Sequence, residues 1–193
     1  MRPSLSTHQS LLQRLAAGGD SGAWLEFTTR YRDLLVGFAR RRGLQEADTD
    51  DLLQDLWLQL SRQLPEFRYD RDRGRFRGFL KTVAMRAIGK RLRRRDPEPI
   101  GPETADADAA DPAADDAWEA EWRQHHLRSA MACIQREFRA TDVRVFTELT
   151  QQKRAPADLA AELGVSPAAI YQIKSRILAR LRTCIANQVA DEG

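Results

Sequence analysis

Ala157-Asp158-Leu159-Ala160-Ala161-Glu162-Leu163-Gly164-Val165-Ser166-Pro167-Ala168-Ala169-Ile170-Tyr171-Gln172-Ile173-Lys174-Ser175-Arg176 is the stretch that decides the fold. It spells helix, sharp turn, helix. Leu159, Ala160 and Leu163 share one helical face. Gly164 is placed to end the first helix in the left-handed conformation that a Cβ penalises. Val165 is expected to plug the angle between the two helices. Ser166 is an N-cap residue, and Pro167 suits the first helical turn, where its missing N–H would have been unpaired. On the second helix Ile170, Ile173, Ile177 and Leu181 recur every three or four residues and face inward. Gln172, Lys174, Ser175, Arg176, Arg180 and Arg182 are left on the other faces. This is the helix-turn-helix pattern, whose second helix enters the DNA major groove, and a plain helical hairpin is the competing reading.

Outward from that motif, apolar residues keep the helical period almost everywhere, and no alternating strand pattern emerges. A short helix is predicted around Gln9–Ala17, then Gly18-Gly19 breaks it. The next runs from about Ala23 to Arg41, with Trp24, Phe27, Tyr31, Leu34, Leu35 and Phe38 on its stripe, and stops at Gly43. A third starts near Asp48, with Asp48 or Thr49 as N-cap, and carries Leu52, Leu53, Leu56, Trp57 and Leu60 up to Pro65. A loop follows over Pro65–Arg75, then a helix over Phe76–Arg94. Helix returns at about Ala117 with Trp118, Trp122, Leu127, Met131 and Ile134, and again over Asp142–Gln151. The fold class is therefore all-α. Two small helical domains are expected, over 1–95 and 117–193, joined by a linker over 96–116. That linker is rich in Pro, Ala and Asp and buries too little apolar surface to offset its ordering entropy.

The charge follows the same division. The chain has 193 residues, 42% hydrophobic and 31% charged, with a net charge of +3. Its pI is near 9.1. The mild average conceals segregation: 68–95 is dense in arginine, whereas 96–121 is acidic without Lys or Arg. A basic nucleic-acid surface beside an acidic tether fits that asymmetry. An arginine run is by default a solvated helix face; the downstream helix-turn-helix tips the balance towards nucleic acid. The two cysteines, Cys133 and Cys184, have no metal-ligand spacing and make no disulfide framework, so both read as buried thiols in a reducing cytoplasm. Signal peptide and membrane-spanning run are both lacking. His8, His125 and His126 read as surface residues rather than ligands.

Two surfaces carry chemistry beyond the motif. On the third helix Asp48, Asp50 and Asp51 sit at or near the N-terminus, where the helix dipole favours acids. Asp51, Gln54, Asp55 and Leu58 follow at helical steps and make a polar strip beside an apolar edge. A capped helix with solvated acids is the plain alternative. A divalent-metal site is disfavoured, because no His or second acidic helix converges there. The loop and helix after Pro65 combine Phe67, Tyr69, Phe76 and Phe79 with Arg68, Arg71, Arg73, Arg75, Arg77 and Lys81. Aromatics can stack on unpaired bases while cations follow phosphates. Phe76 and Phe79 read as core; Phe67 and Tyr69 are the better DNA candidates.

Four stretches in this order resemble the extracytoplasmic-function sigma factors of RNA polymerase, compact members of the sigma-70 superfamily that keep regions two and four. Phe27–Leu35 looks like the opening of region two. Asp48-Thr49-Asp50-Asp51-Leu52-Leu53-Gln54-Asp55-Leu56-Trp57-Leu58 looks like its acidic polymerase-binding helix, Phe76–Ala84 like its promoter-melting helix, and Ala157–Arg182 like the second half of region four. The resemblance implies a promoter-specificity subunit rather than an enzyme, without a cofactor or membrane partner. Its implied partners are core RNA polymerase, through the beta-prime clamp and beta flap, promoter DNA, and either an anti-sigma factor or a Ser/Thr kinase. It assigns Asp48, Asp50, Asp51, Gln54, Asp55 and Leu58 to polymerase. The minus-ten element falls to Phe67, Tyr69, Arg75, Arg77, Lys81, Arg86, Lys90 and Arg91. The minus-thirty-five element falls to Ser166, Gln172, Lys174, Ser175, Arg176 and Arg180. Thr49, where the family usually has a small apolar residue, becomes a candidate phosphorylation site. One departure stands out. Where most members follow Val83-Ala84 with Arg-Asn and later an Asp, this chain has Met85-Arg86 and Lys90-Arg91, trading a base-reading amide for a cation. The alternative is a stand-alone helix-turn-helix regulator, which has no need of an acidic docking helix paired with an aromatic, arginine-rich loop.

Overall fold

The computed structural model describes residues 8–66, 76–95 and 111–191. Eight α-helices and one short 3-10 turn occupy them, and no strand occurs among the described residues. The all-α expectation stands. In chain order the helices are α1 (His8–Ala17), α2 (Ser21–Arg41), α3 (Glu46–Gln63) and α4 (Phe76–Arg95), with the 3-10 turn Leu64–Glu66 between the last two. They continue as α5 (Pro112–Glu137), α6 (Ala140–Thr150), α7 (Pro156–Leu163) and α8 (Pro167–Asp191).

The chain divides into two compact units, and the division falls inside α5, between His125 and His126. In the first unit the apolar stripes of α1 to α4 converge on an aromatic centre. Phe27, Tyr31 and Phe76 are fully buried and meet at ring-centroid distances of 5.0–6.0 Å, the tilted and edge-on geometry that aromatic rings prefer. Phe76 is thus core, as its spacing predicts. Asp20 starts α2: its carboxylate accepts the Ala23 N–H at 2.8 Å and pairs with Arg14 at 2.7 Å. Those bonds, the Arg14 contact first, hold the acid below its ordinary range.

Two expectations about element boundaries fail. Helix α3 begins at Glu46, with Gln45 as an N-cap that makes no side-chain bond. Neither Asp48 nor Thr49 is the cap. Helix α5 begins at Pro112 rather than Ala117, and Asp111 caps it, accepting the Ala114 N–H at 3.1 Å. Residues 112–125 pack in the first unit, so the second begins later than 117. Trp118 is 1% exposed and meets Phe38 edge-on at 5.0 Å, and Trp122 stacks on Trp118. His125 lies stacked on Tyr31, 5.5 Å between centroids. Both His125 and His126 are buried, which overturns their reading as surface residues.

The second unit holds the helix-turn-helix. Ala130, Ile134, Phe146, Ile177 and Leu181 form one apolar cluster; Val145, Leu159, Ala160 and Ile170 form another. Gly164 ends α7 at φ 65°, as its position requires. The Val165 N–H reaches the Ala160 carbonyl at 3.0 Å and the Gly164 N–H reaches Ala161 at 3.4 Å, the paired bonds of a Schellman cap. Val165 itself is 43% exposed, so it does not plug the interhelical angle; Leu159 and Ile170 do. Arg154 bridges Glu148 of α6 and Glu162 of α7, at 2.7 and 2.5 Å, and so ties the motif to the helix before it.

Candidate functional site

The acidic surface is built on α3. Burial of Leu52, Leu53, Leu56 and Leu60 fixes which way the helix faces, and the intervening Asp51, Gln54, Asp55 and Leu58 are left exposed. Leu58 is 54% exposed, a large apolar side chain beside two carboxylates. Asp50 pairs with Arg32 of α2 at 2.9 Å. Asp48 is half-buried. The expected set therefore lies on one helix, with Asp51, Gln54, Asp55 and Leu58 as its open face.

Thr49 does not belong to that face. It is 2% exposed, and its hydroxyl donates to the Gln45 carbonyl one turn earlier at 2.9 Å. A kinase cannot reach this oxygen without opening the start of α3. The expectation of a phosphorylation site is corrected on that ground.

Helix α4 supplies the cations, and it uses them in two ways. Arg91, which the resemblance assigns to the minus-ten element, reaches across to α3, pairing with Asp51 at 2.7 Å and Asp55 at 3.4 Å. Between the two helices lies an open groove, walled by Asp55, Leu58 and Arg62 on one side and Lys90, Arg91 and Arg94 on the other. Arg77 and Lys81, on the opposite end of α4, are engaged by α5. Arg77 pairs with Glu119 and lies over the Trp122 ring at 5.2 Å. Lys81 pairs with Asp115 at 2.5 Å. Arg86 and Lys90 are exposed and make no ion pair with a described residue. Arg93 and Arg94 of the same helix are exposed as well and likewise make no ion pair with a described residue, so all four remain available to phosphate. Phe67, Tyr69 and Arg75 lie outside the described residues.

Sequence reasoning missed what holds α5 against the first unit. Glu121 is buried and pairs with Arg41 at 2.5 Å. Its carboxylate occupies the space a side chain at Gly37 would fill: a Cβ there collides with it. Asp111 pairs with Arg42 at 2.7 Å. Its pKa lies below the ordinary carboxylate value, chiefly through the Ala114 N–H it accepts and then through Arg42. Asp111 and Asp115 therefore meet Arg42 and Lys81 rather than standing solvated as parts of a tether. The signal was present in the sequence: Asp111-Pro112 followed by Asp115 is an N-cap, a first-turn proline and a first-turn acid.

In the second unit the leading turns of α8 present Tyr171, Gln172, Ser175 and Arg176 to solvent, with Lys174 half-buried. Tyr171, 57% exposed, was not among the expected contacts. Arg176 makes a long contact to Asp142 at 3.4 Å, which leaves it free to swing. Ser166 takes the capping role its position predicts, and Arg180 already has a partner. The Ser166 hydroxyl accepts the Ala169 N–H at 3.2 Å as the cap of α8. Arg180 is held by both carboxylate oxygens of Glu137 at 2.6 Å. That grip, with a bond from the Cys133 thiol, drops the Glu137 pKa to about 2. Gln172, Lys174, Ser175 and Arg176 remain a cluster of amide, hydroxyl and cation donors of the kind suited to groove edges.

No helix among the described residues is long and apolar enough to cross a membrane. No group of three metal-ligating side chains occurs among them either. No curated protein matches the chain. Among solved structures it is similar to CnrH, determined in complex with the cytosolic domain of CnrY, at 19% identity over 94% of this chain and 98% of that one. The TM-score is 0.38, too low to carry an argument. The model of Sigma-70 region 2 matches residues 27–98, a span holding α2, the acidic face of α3 and the arginine helix α4. Residues 27–98 are thus similar to sigma-70 region 2.

Proposed function

We propose that this chain is an alternative sigma factor of the compact extracytoplasmic-function type, which binds core RNA polymerase and directs promoter-specific initiation. The observation that carries the reading is order along the chain. A region 2 domain with an exposed Asp51–Asp55–Leu58 face comes first, and a helix-turn-helix with open polar donors follows. The first is the docking element of a polymerase subunit. The second reads duplex DNA.

In this reading the chain performs no catalysis. It supplies binding energy and position, and the polymerase makes the bonds. The α3 face meets a basic or mixed surface of the beta-prime clamp, Leu58 giving apolar contact at the centre and the two carboxylates flanking it. Arg86 and Lys90 follow the phosphates of the minus-ten region, and Gln172, Lys174, Ser175 and Arg176 read the minus-thirty-five element. The second unit also engages the beta flap. Of the two regulators the family resemblance implies, an anti-sigma factor fits better than a kinase acting at Thr49, whose hydroxyl is buried.

Capture of purified core polymerase tests the docking half. The intact chain is expected to co-elute with core, and Asp51→Lys with Asp55→Lys to abolish that co-elution while leaving thermal unfolding within a few degrees of the parent. Binding of duplex DNA without any capture of core would instead mark a stand-alone helix-turn-helix regulator.

A further inference from the structure

Cys133 and Cys184 stand 51 residues apart in the chain, yet their sulfurs lie 3.3 Å from one another. Cys133 is on the last turns of α5 and half-buried; Cys184 is on α8 and buried. The helices that carry them already pack through Ala130, Ile134, Ile177 and Leu181. The Cys184 thiol donates towards Cys133, and the Cys133 thiol donates to Glu137 at 3.2 Å. A disulfide needs its sulfurs at about 2.05 Å. The remaining gap is of the size that rotation of two side chains closes. We propose that Cys133 and Cys184 are an oxidative modification site, where a reversible intramolecular disulfide fastens α5 to α8.

With hydrogen peroxide as oxidant the chemistry balances. One cysteine, as thiolate, attacks a peroxide oxygen; the O–O bond breaks, and the departing hydroxide becomes water on taking a proton. The sulfenic acid left behind is attacked by the second sulfur. Its S–O bond breaks, the S–S bond forms, and a second water leaves with that thiol's proton. Two thiols have lost two electrons and two protons, and the peroxide has become two waters. A dithiol reductant reverses the bond by exchange. Burial, with the bonds to Cys184 and Glu137, pushes the Cys133 thiol up to about 11. It is neutral at physiological pH, so the pair responds to sustained oxidant rather than turning over quickly.

The consequence lies in what the bond encloses. Between Cys133 and Cys184 run all of α6 and α7 and the leading turns of α8. The disulfide would close a loop around the whole helix-turn-helix, restricting the unfolded chain of that unit and holding it folded under oxidant. This holds whether or not the chain is a sigma factor.

The test uses the full chain, reduced and then exposed to hydrogen peroxide, and digested without reductant. The expected product is one joined peptide pair containing Cys133 and Cys184, lighter than the two peptides by two hydrogens. The chain stays monomeric, and titratable thiols fall from two to none. Thermal unfolding of the second unit should rise by at least ~5 °C and return on adding dithiothreitol. Cys133→Ala and Cys184→Ala should lose the rise; the joined peptide is read on the parent chain, so a misfolded variant does not blunt the test. Disulfide-linked dimers, sulfinic acid without a joined peptide, or joining only after the chain is unfolded in urea would each overturn the proposal.

Discussion

Arg91 and Arg86 are five residues apart on α4 and have opposite fates. Arg91 lies between two carboxylates of α3; Arg86 faces solvent. Sequence places both in an arginine-rich helix and separates neither from the other, because the partner of Arg91 sits 40 residues earlier in the chain. The difference is measurable. Arg86→Ala and Lys90→Ala should each lower the salt slope of DNA binding, by ~0.9 on duplex or ~0.7 on a single strand. Arg91→Ala should leave the slope alone and change capture of core polymerase instead. Equal slopes lost from all three would return Arg91 to the DNA. Glu137 gives a second residue-scale expectation. Its folded pKa is depressed to about 2 from an ordinary 4.5, so its stabilising contribution is present above about pH 4.5 and fades as pH falls through 4.5 towards 2. Unfolding midpoints of the parent and Glu137→Gln should differ at pH 6 and converge near pH 2; a gap independent of pH would mean that Glu137 acts by packing.

Among the elements, α5 is the one the sequence conceals best. Its first turns share the Pro, Ala and Asp composition of the segment before them, so composition alone runs the two together as a linker. What separates them is local: Asp111 as cap, Pro112 in the first turn, and Trp118 and Trp122 four residues apart on one face. The helix-turn-helix was legible for the opposite reason, since Gly164, Ser166 and Pro167 announce the turn and its caps without any distant partner. Trp118→Ala tests the assignment of α5 to the first unit. It should destabilise that unit by ~3–5 kcal/mol, the usual cost of emptying a buried tryptophan site, and leave the melting of the second unit in place. Loss of the second unit alone would contradict it. The same helix also restrains cations. Asp115→Asn with Glu119→Gln frees Lys81 and Arg77, and should raise DNA affinity of the isolated chain at low salt, with the gain fading at and above 0.1 M, where screening acts within about 10 Å. An affinity unchanged at low salt would mean that these two cations do not face DNA.

At the scale of the whole molecule, the first unit and the unit holding the helix-turn-helix are separately compact, each with its own core. The amphipathic periods of α2 to α4 and the turn signals of α7 and α8 were enough to draw both. They could not show which charges had already found partners, because ion pairs such as Arg180–Glu137 and Lys81–Asp115 join residues 34 or more apart. The function proposed for the molecule needs both units to act on one promoter through one polymerase. Run-off transcription with reconstituted holoenzyme on a library of genomic promoter fragments measures that directly. The expected result is transcripts from a small set of promoters sharing two spaced elements, lost with Asp51→Lys and Asp55→Lys, and altered in their upstream element by Lys174→Ala or Arg176→Ala. Core polymerase that initiates no specific transcript with this chain, while the chain alone binds duplex DNA, would contradict it.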